Sequence, residues 1–229
     1  MEGFIVENIS NLYRIKVNDK IYEASARGRF KKDDITPVVG DIVEIEVLEE
    51  EKKIAVIEEI KPRRNYIKRP KMANLTQIVL VVSSKHPKPD LLMLDKQLAF
   101  AEYMKVKPII VLNKIDLDEK NDFIRISEEY TNIGYKVIQT DAKLGIGIDE
   151  LIMSLKNNIS AFSGNSGVGK STLINKIFEK NVTQEGEISL KNKKGKNTTT
   201  AIKLYELNED SYIADTPGFS TFDISEIES

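Results

Sequence analysis

The chain has 229 residues, 41% of them hydrophobic, which suffices for one domain of ordinary size with a small one beside it. Its formal charge of -2 gives no bulk attraction to a polyanion, so any nucleic-acid contact must rest on a local patch. Cysteine is absent, which excludes disulfides and thiolate zinc sites; with no leader-like start and no apolar run of membrane-spanning length, the expectation is a cytoplasmic protein.

Residues 1 to about 60 alternate at period two. Phe4, Val6 and Ile9 are followed by Tyr13, Ile15 and Val17, then by Ile21, Tyr22 and Ala24, and two further runs span Ile42 to Leu48 and Ile54 to Ile60. Four or five short strands between turn residues predict a small closed sheet; an OB-type barrel fits best, and the pattern alone leaves an SH3-like barrel open. Arg27, Arg29, Lys31 and Lys32 cluster around Gly28 and Phe30, while Lys61, Arg63, Arg64, Lys68 and Arg69 follow the last strand. Such cations either solvate a surface or bind RNA phosphates, with Phe30 or Tyr66 to stack a base. Lys61-Pro62-Arg63-Arg64-Asn65 reads as a linker, so the expected domains are 1–62 and 63–229.

The second domain reads as α/β. Gln77 to Val82 is a buried strand, and Leu91 to Met104 a helix with Leu91, Leu94, Leu98 and Ala101 on one face. His86, the only histidine, lies between them in a proline-flanked loop and receives no role. The strand Ile109 to Asn113 ends in Asn113-Lys114-Ile115-Asp116, the pattern N-K-x-D. A carboxylate at Asp116 can accept from the ring N–H and the exocyclic amino group of guanine; adenine offers no such donor pair, and a desolvated carboxylate left unpaired rejects the wrong base. Asn113 would tie this loop to a phosphate-binding loop, and the Lys114 stem would cover the base. A helix from Asn121 to Gly134 turns Phe123, Ile126 and Tyr130 inward, and the strand Lys136 to Thr140 leads into Asp141-Ala142-Lys143, where the Ala142 N–H is the candidate donor to the guanine carbonyl. Another helix follows from Ile148 to Leu155.

After the strand Ile159 to Phe162 comes Gly164-Asn165-Ser166-Gly167-Val168-Gly169-Lys170-Ser171, a complete G-x-x-x-x-G-K-[ST], with a helix opening at Thr172. The glycines let successive N–H groups converge on one anion at a helix N-terminus, Lys170 reaches the outer phosphates, and the Ser171 hydroxyl is a Mg²⁺ ligand. The lysine-rich Asn181 to Asn197 reads as a first switch, closed over Mg²⁺ by a threonine of Thr198-Thr199-Thr200, taken as Thr199. Strands Lys203 to Leu207 and Ser211 to Ala214 end in Asp215-Thr216-Pro217-Gly218, where Asp215 holds Mg²⁺ and the Gly218 N–H meets the terminal phosphate.

In Ras-like GTPases the base-reading loops follow the phosphate loop. Here they precede it, and moving the last three strands to the front restores the usual order. The sequence therefore reads as a circular permutation, the old termini joined near Lys156 to Ser160. This order, with G-N-S-G-V-G-K-S, T-T-T, D-T-P-G-F, Arg27-Gly28-Arg29-Phe30 and Thr36 to Asp41, resembles over essentially the whole chain the RsgA (YjeQ, YloQ) family of circularly permuted ribosome-assembly GTPases. The resemblance implies an OB barrel that binds rRNA through Arg27, Arg29, Lys31, Lys32, Arg63 and Arg64. It further implies a monomeric, Mg²⁺-dependent enzyme that docks on the small ribosomal subunit late in maturation and leaves when GTP is hydrolysed.

Two departures qualify the implied mechanism. Phe219 occupies the place of the water-positioning glutamine of Ras-like enzymes, and Asn197 stands where the family usually has a histidine. Asparagine can hydrogen-bond water without taking up its proton, so Lys170, Thr199 and Gly218 form the core of the expected catalytic set, with Asn197 beside them. Family members also continue into a zinc-binding helical domain that this sequence lacks, either because the sequence is truncated, the favoured expectation, or because this member does without it. Two rival readings stay open: a non-catalytic RNA-binding module that responds to guanine nucleotide, and an ATPase whose Asp116 points away from the base.

Overall fold

Five short strands begin the chain in the computed structural model: β1 (Glu2–Ile9), β2 (Leu12–Val17), β3 (Lys20–Ala26), β4 (Ile42–Glu49) and β5 (Ile54–Ile60). The structure describes residues 1–31, 35–119, 121–181, 202–208 and 210–215. Lys32, Asn197, Thr199, Gly218 and Phe219 lie outside the described residues, as do the side chains of Arg29, Lys31 and Asp215.

The five strands neighbour one another in the order β1-β2-β3-β5-β4, and β4 pairs back onto β1 to close the sheet. The β3–β5 pair is parallel and the others are antiparallel, the arrangement of an OB barrel, which removes the SH3-like alternative. Ile5, Tyr13, Ile15, Val17, Tyr22, Val43, Ile45 and Ile57 fill the interior. On β1 the inward positions are Gly3 and Ile5, whereas Phe4 and Val6 are half-buried and Ile9 is exposed. The reason is space: a Cβ at Gly3 would lie 2.5 Å from Ile15 Cγ2, so this inward position has to be a residue that apolar alternation does not score.

The first compact unit holds Met1–Leu75 together with short later segments, and the second opens at Thr76. Residues 63–75 include a hairpin of β6 (Tyr66–Lys68) and β7 (Lys71–Ala73). Gly40, at φ +90°, passes so close to this hairpin that an added Cβ would sit 2.0 Å from the Ala73 carbonyl oxygen. Asn74 Nδ2 donates to Gly40 O at 2.8 Å, fastening the same approach.

The second unit is built on β8 (Gln77–Ser83), β9 (Lys107–Asn113), β10 (Lys136–Thr140) and β11 (Ile159–Ser163), all parallel to their neighbours among these four. With β12 (Lys203–Asn208) and β13 (Ser211–Asp215) the order is β10-β9-β8-β11-β13-β12. If β11 is counted first, with β12, β13, β8, β9 and β10 after it, the same order reads 6-5-4-1-3-2. The strand that feeds the glycine-rich loop is then interior, with later strands added to either side, and ligands of open α/β sheets bind beyond the strand ends at such a point. Helices α1 (Leu91–Tyr103), α2 (Asp122–Asn132), α3 (Ile148–Leu155) and α4 (Lys170–Asn181) supply Leu94 and Leu98, Phe123 and Ile126, Leu151 and Leu155, and Leu173 and Ile177 to the core. Among the described residues no helix is long and apolar enough to cross a membrane.

Candidate nucleotide-binding site

Between the end of β11 at Ser163 and the start of α4 at Lys170 the backbone turns through three residues that only glycine suits. Gly164 has φ +138° and would place a Cβ 2.3 Å from the Val81 carbonyl oxygen; Gly169 has φ +103° and would place one 2.3 Å from Asn113 Nδ2. Gly167, between them, also has positive φ. Close approach of the ends of β8 and β9 therefore dictates the outer two glycines as strictly as conformational freedom does. Val168 is buried beneath the loop, while Ser166, Gly167, Ser171 and Thr172 are exposed and Asn165 is half-exposed. The Lys170 ammonium donates to Gly164 O at 2.6 Å and Asn165 O at 3.0 Å. Burial lowers its pKa below the ordinary lysine value, so an anion beside it would relieve part of the desolvation it bears.

Asn113 ends β9 fully buried and holds three segments together. Its Nδ2 donates to Val168 O at 2.8 Å, and its Oδ1 accepts from Thr140 Oγ1 at 3.0 Å and from the Ala142 N–H at 3.2 Å. Lys114 follows in the left-handed region, and its ammonium donates to Gly167 O at 2.7 Å and His86 O at 2.5 Å. Asp116 lies on a one-turn 3₁₀ segment, Ile115–Leu117, exposed and without hydrogen bond or ion pair among the described residues. The two motifs, about fifty residues apart in the chain, thus share one cleft rim.

Two of the expected roles need restating. The Asp141 carboxylate is buried and accepts from the N–H groups of Lys143 at 2.8 Å and Leu144 at 3.0 Å, so it shapes its own loop. The Ala142 N–H, expected to meet a purine carbonyl, donates to Asn113 Oδ1, and a base would have to share or release it. Residues the motifs did not name also take part. Thr140 orients the Asn113 amide, Gln97 Nε2 donates to Ser163 Oγ at 2.9 Å below the glycine-rich loop, and the 85–86 loop receives Lys114. Thr140 and Gln97 are buried polar residues, and their polar neighbours in the sequence leave no signal of that burial.

Of the barrel's expected RNA-facing cations whose side chains are described, Arg27 and Arg64 are exposed and Arg63 is partly buried. Arg63 Nε and Nη2 meet the two carboxylate oxygens of the fully buried Asp41 at 2.7 and 2.8 Å, and Nη2 also donates to Thr36 O at 2.8 Å. The guanidinium lies 4.8 Å from the Tyr66 ring centroid. Arg63 therefore has a structural role as the counter-ion of Asp41, whatever it meets outside the barrel. Arg27 pairs with Glu46 and Glu58, whereas Arg64 is exposed with its side chain unpaired among the described residues.

A family model described as RsgA GTPase matches residues 60–225, and one described as RsgA N-terminal domain matches residues 2–57. The chain belongs to the RsgA GTPase family. Relatives named small ribosomal subunit biogenesis GTPase RsgA include that of Ruminiclostridium cellulolyticum, 41% identical over 227 residues covering 98% of this chain and 74% of the relative. That of Clostridium acetobutylicum is 42% identical over 228 residues, 100% of this chain and 78% of its own. The crystal structure of YjeQ from Thermotoga maritima superposes with a TM-score of 0.80 at 33% identity, covering 96% of this chain and 75% of YjeQ. YloQ, described as a circularly permuted GTPase, superposes with a TM-score of 0.77 at 31% identity, covering 98% and 74%. The strand order of this RsgA chain is accordingly that of a circularly permuted GTPase domain behind an OB barrel.

Proposed function

We propose that this chain hydrolyses GTP as an assembly factor of the small ribosomal subunit, with guanine nucleotide held between Gly164–Thr172 and Asn113–Asp116. The observation that carries this reading is the bond from Asn113 Nδ2 to Val168 O, which makes the purine-checking and phosphate-holding loops one rigid object. Lys170 and the N–H groups of Gly164 to Thr172 bind the polyphosphate, Lys114 lies along the base, and Asp116 accepts from its amino edge. The oxygen donors Ser171, Thr199 and Asp215 are of the kind Mg²⁺ takes, and the ion would spread charge developing on the transferred phosphoryl group. The Gly218 N–H would donate to that same group.

Phe219 cannot orient water, so turnover by the chain alone is slow, and Asn197 or a group from the ribosomal partner completes the site. The barrel, residues 1–62 in this division of labour, meets rRNA through Arg27, Arg29, Lys31, Lys32 and Arg64, and the protein works as a monomer in the cytoplasm beside its ribosomal partner. The test is GTP hydrolysis with and without purified small subunits. Stimulation is expected, and equal rates would overturn the assembly-factor reading. Absence of GDP in a single-turnover assay with Mg²⁺ would favour instead a non-catalytic nucleotide-responsive module.

A further inference from the structure

Ser84 lies outside both nucleotide motifs, yet it holds the backbone from which Asp116 projects. Its hydroxyl donates to Lys114 O at 2.6 Å, and its N–H donates to Asn113 O at 3.3 Å. The same Lys114 oxygen accepts from the Leu117 N–H at 3.0 Å, which is the bond that closes the 3₁₀ turn carrying Asp116. Lys114 itself sits at φ 64°, ψ 46°, a left-handed conformation that a lysine holds only when its surroundings over-determine it. Its ammonium reaches back to Lys85 O and His86 O, the two residues after Ser84. The strand end is thus stapled to the base-reading loop twice, through the Lys114 carbonyl and through the Lys114 side chain.

We infer that Ser84 is a positioning residue for base recognition: its hydroxyl locks the Lys114 carbonyl, and so sets the aim of the Asp116 carboxylate at the amino edge of guanine. This rests on the reading of the cleft as a guanine-nucleotide site. Ser84 touches neither base nor phosphate in this account. Its loss loosens a direction without removing a contact, and the signature is a change of selectivity. Inosine nucleotides lack the exocyclic amino group, so they forgo one of the two bonds to Asp116 and depend less on its aim.

The test uses the full chain and its Ser84→Ala and Ser84→Thr variants, measuring affinities for GDP, IDP and ADP by competition against a fluorescent GDP. Ser84→Ala is expected to weaken GDP about tenfold and IDP by only about twofold, in keeping with one lost hydrogen bond to a partly buried carbonyl. Ser84→Thr, which keeps the hydroxyl, is expected to hold the wild-type GDP to IDP ratio. A Ser84→Ala protein that melts lower but keeps that ratio would overturn the inference, because a merely structural serine predicts that result. Wild-type protein that binds ADP as well as GDP would overturn the guanine reading itself, and the inference with it.

Discussion

At Asn113 one amide is shared among three loops, and its freedom to turn is removed from both sides: Nδ2 by Val168 O, Oδ1 by Thr140 and Ala142. Gly169 makes room for it, since a Cβ there would stand 2.3 Å from Nδ2. Gly169→Ala should displace the amide and weaken GDP binding at least tenfold, read by fluorescence titration. Gly134→Ala is the control. That glycine has a similar φ of +100° but nothing within 4 Å of an added Cβ, so it should cost about 1–2 kcal/mol of stability and leave binding alone. The barrel offers the case of a charge expected as a ligand contact that also has a structural partner. Asp41 is fully buried, and Arg63 is its counter-ion. Arg63→Met should therefore destabilise the chain by about 3–5 kcal/mol, the cost of a buried carboxylate left alone, measured by urea denaturation. If Arg63 served only to meet RNA, stability would not move. Neither the Asp41 pairing nor the Ser84 staple was legible in the sequence, because each joins residues more than twenty positions apart that no spacing rule connects.

Among elements, legibility followed burial on one face. The helix from Asn121 to Gly134 was expected with Phe123, Ile126 and Tyr130 inward, and α2 spans Asp122–Asn132 with those three buried. On α1 the apolar face also carries Gln97, which periodicity passes over because its reason to be inside is a hydrogen bond to Ser163. On β1 the inward positions are Gly3 and Ile5, so the alternation of Phe4 and Val6 marks the other face of the strand. The polar tip of Tyr130 gives α2 a pH response. Its hydroxyl donates to Asp95 Oδ1 at 2.6 Å, and burial first, then that bond to a carboxylate, raises the phenol pKa above its ordinary value of 10.0. The folded chain therefore holds this proton more tightly than the unfolded chain. The resulting stability is complete below the ordinary tyrosine pKa and is lost as pH climbs from there toward the folded value. Between about pH 9 and about pH 11 the urea midpoint of the wild type should fall more than that of Tyr130→Phe. Parallel declines would show that the bond to Asp95 does not discriminate between the protonation states.

Across the whole molecule, permutation changed the order in which the site is written without changing the sheet on which it stands. The purine-checking loop ends β9 and the phosphate loop ends β11, two strands that flank β8 on either side, so chain distance between them is immaterial once the sheet forms. The motifs made this much legible from the sequence, since N-K-x-D and the glycine-rich loop each announce a strand end and Asn113 is the expected tie between them, whereas the acceptors of the joining bonds are the backbone carbonyls of Val168 and Gly167, which no residue type marks. A site assembled this way should respond to ligand as one body. Nucleotide that touches both loops must order residues 113–118, 140–146 and 164–171 together, because Asn113 and Lys114 transmit any closing of one loop to the others. Hydrogen exchange measured with and without GDP should show protection rising in all three segments at the same nucleotide concentration, while β1 to β5 keep their rates. ADP at equal concentration should protect all three segments less than GDP does, since its diphosphate suits the glycine-rich loop but its base gives Asp116 no donor pair. Equal protection of all three segments by ADP would mean that the carboxylate does not inspect the base, and that selectivity for guanine arises elsewhere in the cleft.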